Sequence, residues 1–532
     1  MSTSRHSLTR FMAIFAGGTL ISRVLGLARD VLVANMVPFA AREIFLFAFK
    51  FPNMLRDMLG EGAVNAAYVP LFSRTLETEG QAAFTRLVRA CFGAAIALFA
   101  VLSLAGVLAV SLLPMLLGWL QPFTGAGMPD ASGLELQMSA MRWTMPYLFF
   151  IGTAVFAMGP LFVMRHYGTP SWSPVLLNVA LIAACLVNEE YFSDPVWALV
   201  AGVWLGGVAQ LGVMLYAMKR YAGVLLPSLE FNHPGIRKAM ILLVPVILGQ
   251  ATGEVNKVVD ALFAVKLEAV SVLYFANRMV QLPLSIFGIA VAVAILPGIS
   301  AAAAREDHGE IRDTLMHGLR QSAFLVLPAL LGLVLLGEPI MRLFFSHGGG
   351  EFSVEEARRA GTALQYYAWG LLTFAWVKVG VQGFFALHDT RTPVVVATLS
   401  MGLNILLNMA LVGPMGYRGL ALATSLSYAA NFLGLYILLC RRYGPLWSPV
   451  FLGGMGKILL ATGMMGGVVY TLHRALAVAL PGDSTLVEAV HVAVPVLAGG
   501  LAYPAFCLLL RSEDVGLLRS LLRRARGGLK KP

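Results

Sequence analysis

Charge is scarce in this chain. Asp, Glu, Lys and Arg make up only 13% of its 532 residues, where a soluble chain carries about 25%. Apolar residues make up 58%, and the mean hydropathy is +0.77. That balance argues against an ordinary soluble domain and predicts a polytopic membrane protein. Cysteine is scarce too. Cys91, Cys185, Cys440 and Cys507 are scattered in or beside apolar runs without metal-ligand spacing, so buried thiols are expected. His166, His388 and His473 fall at the ends of apolar runs and also lack ligand spacing. There is no Walker motif, dinucleotide fingerprint or nucleophile elbow, and the GGGEF stretch has no strand-helix context. An ATPase and a soluble-domain enzyme are therefore disfavoured. The net charge of +11 would suggest nucleic acid in a soluble protein. In a membrane protein the positive-inside rule accounts for it, so no nucleic-acid partner is expected.

What the chain has in abundance is long apolar runs. The first two are Phe11 to Phe39 and Ile44 to Phe72, each long enough to cross a bilayer. The first is too long, and too charged in its middle, for a cleaved signal peptide. Further spans are expected near Ala90–Trp119, Trp143–Met164, Val175–Val187, Val196–Met218, Met240–Val265 and Val270–Ile299. The last six are near Ser322–Leu336 (extended to Phe345), Leu364–Leu387, Val394–Val412, Leu420–Leu439, Gly453–Tyr470 and Ala489–Leu510. Val37-Pro38 should end the first run and Ala40–Glu43 form a tight turn. Residues 74 to 89 should form a polar loop, and Glu306–His317 a surface helix. Asp389 to Pro393 reads as a helix cap, with Thr390 or Thr392 near the N-terminus. Trp143, Trp172 and Trp197 read as interface anchors.

The expected fold is all-α, a polytopic membrane protein with fourteen transmembrane helices. Lys and Arg concentrate on the side shared by both termini, which places both termini in the cytoplasm. AAYVPLFS (Ala66 to Ser73) loosely matches AVAILPGIS (Ala292 to Ser300), each at the end of a second span in its half. This suggests two parallel six-helix lobes plus two C-terminal helices. The divisions expected are 1–220 for the N-lobe, 221–238 for a cytoplasmic linker and 239–442 for the C-lobe. Residues 443–512 hold the last two helices, and 513–532 a basic cytoplasmic tail.

The charges inside the first two spans are the chemistry-bearing feature. Arg23, Arg29, Asp30, Lys50, Arg56, Asp57 and Glu61 all interrupt apolar sequence. A charge in hydrocarbon is expensive, so such residues face a protein interior or a watery cavity. Arg23 and Arg29 are six apart, roughly 120° around a helix, a broad but shared side. Arg56 and Asp57 are adjacent and are not expected to face one way together. Arg278, beside Asn277, adds a cation from the second half. Arginine's planar fork suits phosphate, and several cations can share a diphosphate. The competing reading is that these charges are ion pairs holding helices together.

In the second half, Glu254, Asn256, Lys257 and Asp260 lie on one span, Asn404 and Asn408 on another and Thr424 on a third. Their oxygens suit a hard cation such as sodium. They suit interhelical hydrogen bonds as well, and spacing alone favours the bonds. Lys378 needs a partner or a wet cavity.

SRVLGLARD (Ser22 to Asp30), FKFPNMLRDMLGEGAVNAAYVPLFS (Phe49 to Ser73) and YFANRMVQLP (Tyr274 to Pro283) resemble the MurJ (MviN) family of bacterial lipid II flippases. The resemblance runs from about residue 10 to 510 and takes in GGVAQL (Gly206 to Leu211), the HDTRTP turn (His388 to Pro393) and NMALVGPMG (Asn408 to Gly416). It implies a non-enzymatic flippase moving undecaprenyl-diphosphate-linked peptidoglycan precursor across the inner membrane by alternating access. A multidrug or other polyprenyl-diphosphate-linked glycan exporter of the same superfamily is the alternative. Arg23, Arg29, Arg56 and Arg278 resemble the family's essential arginines, and Asp30 and Glu61 its acidic positions. Glu43 stands where the family often has Asp, and Asn277 where it usually has Asp. Glu43, Lys50, Asn277 and Lys378 would support the site. Asp260, Asn404, Asn408 and Thr424 resemble a sodium site of part of the family. Asn408 stands there in place of an Asp, which argues against sodium coupling. No other cofactor is implied. The last two helices resemble a pair forming a lipid groove. The partners implied are lipid II, membrane lipids and the cell-wall synthesis machinery, with the chain a monomer.

Overall fold

The computed structural model describes residues 2–60, 68–124, 131–346, 350–387, 389–482 and 484–516, and these residues are all-α. By contact the chain divides into two compact units, Met1–Ala261 and Leu262–Pro532. The first unit holds α1 (Ser2–Met36), α2 (Phe39–Gly60), α3 (Val69–Thr124), α4 (Ala131–Thr144) and α5 (Tyr147–Val163). It continues with α6 (Gly168–Tyr191), α7 (Pro195–Ala217) and most of α8 (Pro234–Val265). The second unit holds α9 (Val270–Pro283), α10 (Ile289–Ala304), α11 (His308–Phe345) and α12 (Val354–Phe385). Its remaining helices are α13 (Arg391–Met415), α14 (Tyr417–Tyr443), α15 (Pro449–Ala479) and α16 (Thr485–Leu509).

Among the described residues, 10 helical stretches are long and apolar enough to cross a membrane. Expected spans outside that set fall on α1, α2, α8 and α12, all of which carry ionisable residues. Burial on α13 is inverted relative to a soluble helix. Its buried residues are Pro393, Ser400, Asn404 and Asn408, while Leu399, Leu406 and Met409 are exposed. Polar inside and leucine outside suits a hydrocarbon solvent, because helix contacts in lipid are made by small and amide side chains. The chain is a multi-pass, all-α membrane protein.

Each unit has its own core. In the first, Phe72, Phe84, Phe92 and Phe99 of α3 pack with Phe156 and Leu161 of α5 and Met214 of α7. In the second, Ile295 and Ile299 of α10 pack with Leu315 and Leu319 of α11, Phe384 of α12 and Leu435 and Leu439 of α14. The α6–α7 contact depends on missing side chains. An added Cβ at Gly202 would meet the Ala184 Cβ at 2.9 Å, and one at Gly206 the Leu177 Cα at 2.9 Å. Small residues one turn apart let two helix backbones approach closely.

Several helices are joined where proline breaks their hydrogen-bond ladder. Proline has no N–H, so the carbonyl four residues earlier loses its helical donor. Pro52 of α2 releases Ala48 in this way, and the Thr144 hydroxyl of α4 donates to the Ala48 carbonyl at 3.2 Å. Pro328 of α11 releases Phe324, which accepts from the Tyr503 hydroxyl of α16 at 2.8 Å. Pro495 of α16 releases His491, whose carbonyl accepts from Nδ1 of His473 on α15 at 3.2 Å. The break between α4 and α5 is fixed similarly. Trp204 Nε1 donates to the Trp143 carbonyl at 2.7 Å and the Ser103 hydroxyl to the Met145 carbonyl at 3.3 Å.

Several expected boundaries are corrected. Ala40–Glu43 lies at the start of α2 and is not a tight turn, because only Val37 and Pro38 break the helix between α1 and α2. Arg42, within that stretch, is fully buried. Its Nη1 donates to the carbonyls of Ala34 at 2.6 Å and Val37 at 3.1 Å, acceptors left over at the end of α1. Residues 74–89 belong to α3, interrupted only at Gly80 with φ +84°. The stretch is polar yet buries Thr75, Phe84, Leu87 and Val88 on one face. The polar run after residue 306 is no separate surface helix but the start of α11, capped by Asp307, whose side chain accepts from the Glu310 N–H. At α13 the capping oxygens are those of Asp389, with Thr392 as donor. His388 and residues 347–349 lie outside the described residues.

Candidate anion site

The charged stretch of the first unit sits on α1 and α2, held by their neighbours. On α1, Arg29 lays its Nε and Nη2 on the Asp30 carboxylate, with Nε at 3.0 Å. Its Nη1 donates to Oδ1 of Asn178 on α6 at 3.1 Å, and the Asn178 amide donates to the Ser22 carbonyl at 3.0 Å. Asp30 is 2% exposed and Arg29 13%. A buried, doubly bonded pair of this kind is costly to break. Arg23, one and a half turns earlier, is exposed.

On α2, Arg56 folds back onto its own neighbour. Nε and Nη2 lie 3.2 and 2.8 Å from Asp57 Oδ1, and Asn53 Nδ2 donates to Asp57 Oδ2 at 3.4 Å. The expectation that Arg56 and Asp57 point apart is therefore corrected. Their Cα–Cβ bonds diverge, but the arginine side chain is long enough to close the gap. The pair is open, with exposures of 32% and 28%. The Tyr147 hydroxyl stands beside the Arg56 guanidinium. Tyr147 is itself set by the GGVAQL stretch of α7. Its ring closes on Gly207, where an added Cβ would lie 2.9 Å from Cδ2, and its hydroxyl donates to Gln210 Oε1 at 3.3 Å. Pro52 and Thr144 hold the same stretch of α2 from behind. Tyr147, Gln210, Asn178 and Asn53 were not singled out from the sequence. They are single polar groups in apolar surroundings, and only Asn53 carried a local signal, one turn before Asp57.

Lys50, half-buried on α2, lies within electrostatic reach of Lys257, Asp260 and Glu254 of α8 and of Asp57. Glu254 pairs with Lys257, and the Asn256 amide donates to Asp260 Oδ2 at 3.5 Å. Glu43 is half-buried near the start of α2. Glu61 lies outside the described residues. In the second unit, Arg278 and Asn277 are half-buried on α9, and Asn277 Oδ1 accepts from the Gln281 amide at 3.5 Å. Lys378 is exposed on α12.

The amide nitrogens of the expected sodium set make helix contacts. Asn408 Nδ2 donates to Asn404 Oδ1 at 2.9 Å, and Asn404 Nδ2 to the Ser427 hydroxyl at 3.4 Å. Ser427 and Thr424 each donate to a carbonyl of their own helix, at 2.9 and 3.0 Å. Asp260, the only carboxylate of the set, has Asn256 and Lys50 for company in the first unit. A hard cation takes at least about six oxygens, whereas the bonds seen at Asn404 and Asn408 are the interhelical and intrahelical contacts that their spacing favours. Among the described residues, no group of three or more His, Cys, Asp or Glu side chains could hold a metal. Cys91, Cys185 and Cys507 are buried free thiols, and Cys440 is half-buried.

The comparisons with known proteins agree with one another. A family model described as lipid II flippase MurJ matches residues 38–484. A probable lipid II flippase MurJ of Vibrio cholerae is 35% identical over 430 residues, covering 80% of this chain and 81% of that one. The lipid II flippase MurJ of Burkholderia cenocepacia is 30% identical over 473 residues, 86% of this chain and 90% of that one. A solved lipid II flippase MurJ in an inward closed conformation superposes with a TM-score of 0.75 at 25% identity, covering 93% of this chain and 98% of that one. A multidrug resistance MATE family transporter of the MOP superfamily has a TM-score of 0.64 at 16% identity, covering 80% and 95%, a likeness of fold alone. The chain belongs to the MurJ family of lipid II flippases.

Proposed function

We propose that this protein flips lipid II, the undecaprenyl-diphosphate-linked peptidoglycan precursor, from the cytoplasmic to the periplasmic leaflet of the inner membrane. The observation that carries the reading is the set of arginines inside apolar helices, with Arg56 part-buried beside Tyr147. Arg23, Arg29 and Arg56 of the first unit, and Arg278 of the second, are assigned to the diphosphate. Lys50, Glu43, Asn277 and Lys378 tune the local charge, and Asp30 fixes Arg29 in place. Glu61 is assigned to the same set on family resemblance. The chemistry is non-covalent. A guanidinium offers a diphosphate paired, charge-assisted hydrogen bonds without committing it to a bond that must be cleaved.

The arrangement proposed is fourteen spans, with both termini cytoplasmic and alternating access as the mode of transport. The lobes are residues 1–220 and 239–442, joined by 221–238. Residues 443–512 supply a lipid groove and 513–532 a basic tail. The protein works as a monomer with lipid II, membrane lipids and the cell-wall synthesis machinery as partners. No step is routed through sodium, since the α13 amide of Asn408 donates to Asn404 and that of Asn404 to the Ser427 hydroxyl of α14. Membrane potential is the simplest driver, each charge moved being worth about 2.3 kcal/mol per 100 mV.

A multidrug exporter is the competing class, and the shared MATE-like fold keeps it in view. Complementation separates the two. In a strain depleted of its own lipid II flippase, this chain should restore growth. Arg29→Gln and Arg56→Gln variants, expressed at equal level, should not. A well-expressed parent chain that fails to rescue would overturn the assignment, and drug efflux from the same cells would replace it.

A further inference from the structure

We propose that Asp57 is a resident counter-ion of Arg56, occupying the edge of the guanidinium that a diphosphate must take, and that it sets how tightly the anion is held. The inference rests on the anion-binding reading above and adds a residue to it. A guanidinium presents a side-on edge, Nε with Nη2, suited to the oxygens of a phosphate. Asp57 Oδ1 lies on that edge of Arg56, at 3.2 and 2.8 Å.

The same side-on contact occurs at Arg29 and Asp30, and the contrast between the two is informative. Arg29 is closed in by Asn178 and by packing, with Asp30 only 2% exposed. Arg56 and Asp57 keep 32% and 28% of their side-chain surface uncovered, so this pair is less enclosed than Arg29 and Asp30. Pairs that exposed are worth a factor of about five or less in equilibrium constant. One arginine is therefore fixed and the other can exchange its partner.

The local geometry provides somewhere for Asp57 to go. Its second oxygen accepts from Asn53 Nδ2, one turn earlier on α2. When an anion takes the Nε–Nη2 edge, the carboxylate rotates towards Asn53, while Tyr147 stays beside the guanidinium. The displaced carboxylate remains close and repels the bound anion. A carrier has to release what it binds, and most differences in affinity are differences in off-rate. Asp57 thus weakens retention at the arginine that is most open.

The test is equilibrium binding of inorganic pyrophosphate, and separately of farnesyl diphosphate, to the detergent-solubilised full chain. Parent, Asp57→Asn, Arg56→Gln and the double variant are compared at low ionic strength, with Asp57→Ser as a second variant should Asp57→Asn fold poorly. Asp57→Asn should bind both ligands roughly fivefold more tightly, the worth of the exposed pair it removes. That gain should vanish in the Arg56→Gln background. Lipid II flipping by Asp57→Asn should saturate at lower substrate concentration and reach a lower maximal rate. Equal affinity in parent and Asp57→Asn overturns the proposal, as does an equal gain in the Arg56→Gln background. A gain for farnesyl diphosphate alone overturns it too, by assigning the effect to the prenyl tail. Loss of all pyrophosphate and farnesyl diphosphate binding, the parent included, removes the anion-site reading and this inference with it.

Discussion

Changing Tyr503 to Phe removes one oxygen and little else. The hydroxyl donates to the Phe324 carbonyl at 2.8 Å, and Pro328 leaves that carbonyl with no helical donor. The ring itself stays, packed at 5.3 Å from Phe324, and Tyr503 is 6% exposed, so water does not substitute. A buried carbonyl deprived of its donor costs about 1–3 kcal/mol in soluble proteins. Interhelical bonds in membranes average nearer ~0.6 kcal/mol with a maximum near ~1.7. A loss of about 1 kcal/mol is therefore expected. A thermal midpoint would barely register it, since 1 kcal/mol moves domains of 150–250 residues by only about 2–4 °C and larger ones less. Reversible unfolding in mixed micelles by SDS titration is the better assay. The decisive comparison is the same change in a Pro328→Ala background. There the alanine N–H supplies the missing donor, and Tyr503→Phe should cost less than half as much. Equal cost in both backgrounds would refute the idea that the hydroxyl stands in for the donor that proline lacks.

Three further outcomes are expected. Burial, and then the neighbouring Arg220, hold the His166 pKa below its usual value, with the ring stacked 3.8 Å from Tyr221. A depressed folded value means the unfolded chain takes the proton first. The contribution is full above about pH 6.5 and is lost as pH falls through the lower folded value. SDS unfolding at pH 7.5 and 5.5 should show the parent losing more stability than His166→Gln, and matching losses would contradict this. The Thr392 N–H, with its hydroxyl and Arg442, holds Asp389 below the usual carboxylate range. Asp389→Ala should cost about 1 kcal/mol at pH 7. The difference should fade as pH drops below about 4, because the contribution exists above the unfolded pKa and disappears on protonation. Arg42→Met should leave two buried carbonyls without their donor at the end of α1 and cost about 2–5 kcal/mol. A variant as stable as the parent would show that those carbonyls have other partners.

Ten of the expected spans coincide with helical stretches long and apolar enough to cross a membrane. The span expected at Val196–Met218 is α7 at Pro195–Ala217, and Gly453–Tyr470 lies within α15. What hydropathy could not show was the helix that continues past the apolar part. α12 begins at Val354, ten residues before the expected Leu364, because Ser353 and Glu356 form a capping box in polar sequence. The first turns of α3 were missed for the same reason, since their apolar residues recur at helical spacing among charges. At the site, the charged residues stood out because hydrocarbon makes them conspicuous. Their pairing did not. Spacing describes where Cα–Cβ bonds point, whereas Arg56 reaches Asp57 through rotamers of a long chain. The residues that hold the arginines, Asn178 and Tyr147, lie far away in sequence and look like ordinary polar punctuation.

The proline joints also constrain which substitutions the helices tolerate. At Pro52 with Thr144, and at Pro328 with Tyr503, the donor hydroxyl is useful only because the proline is there. Without the proline, the hydroxyl would face a carbonyl already bonded within its own helix, and its loss would cost little. With the proline in place, the same loss leaves that carbonyl without its donor. The two positions are therefore coupled, and a chain with a straight helix at either joint is free to vary at Thr144 or Tyr503.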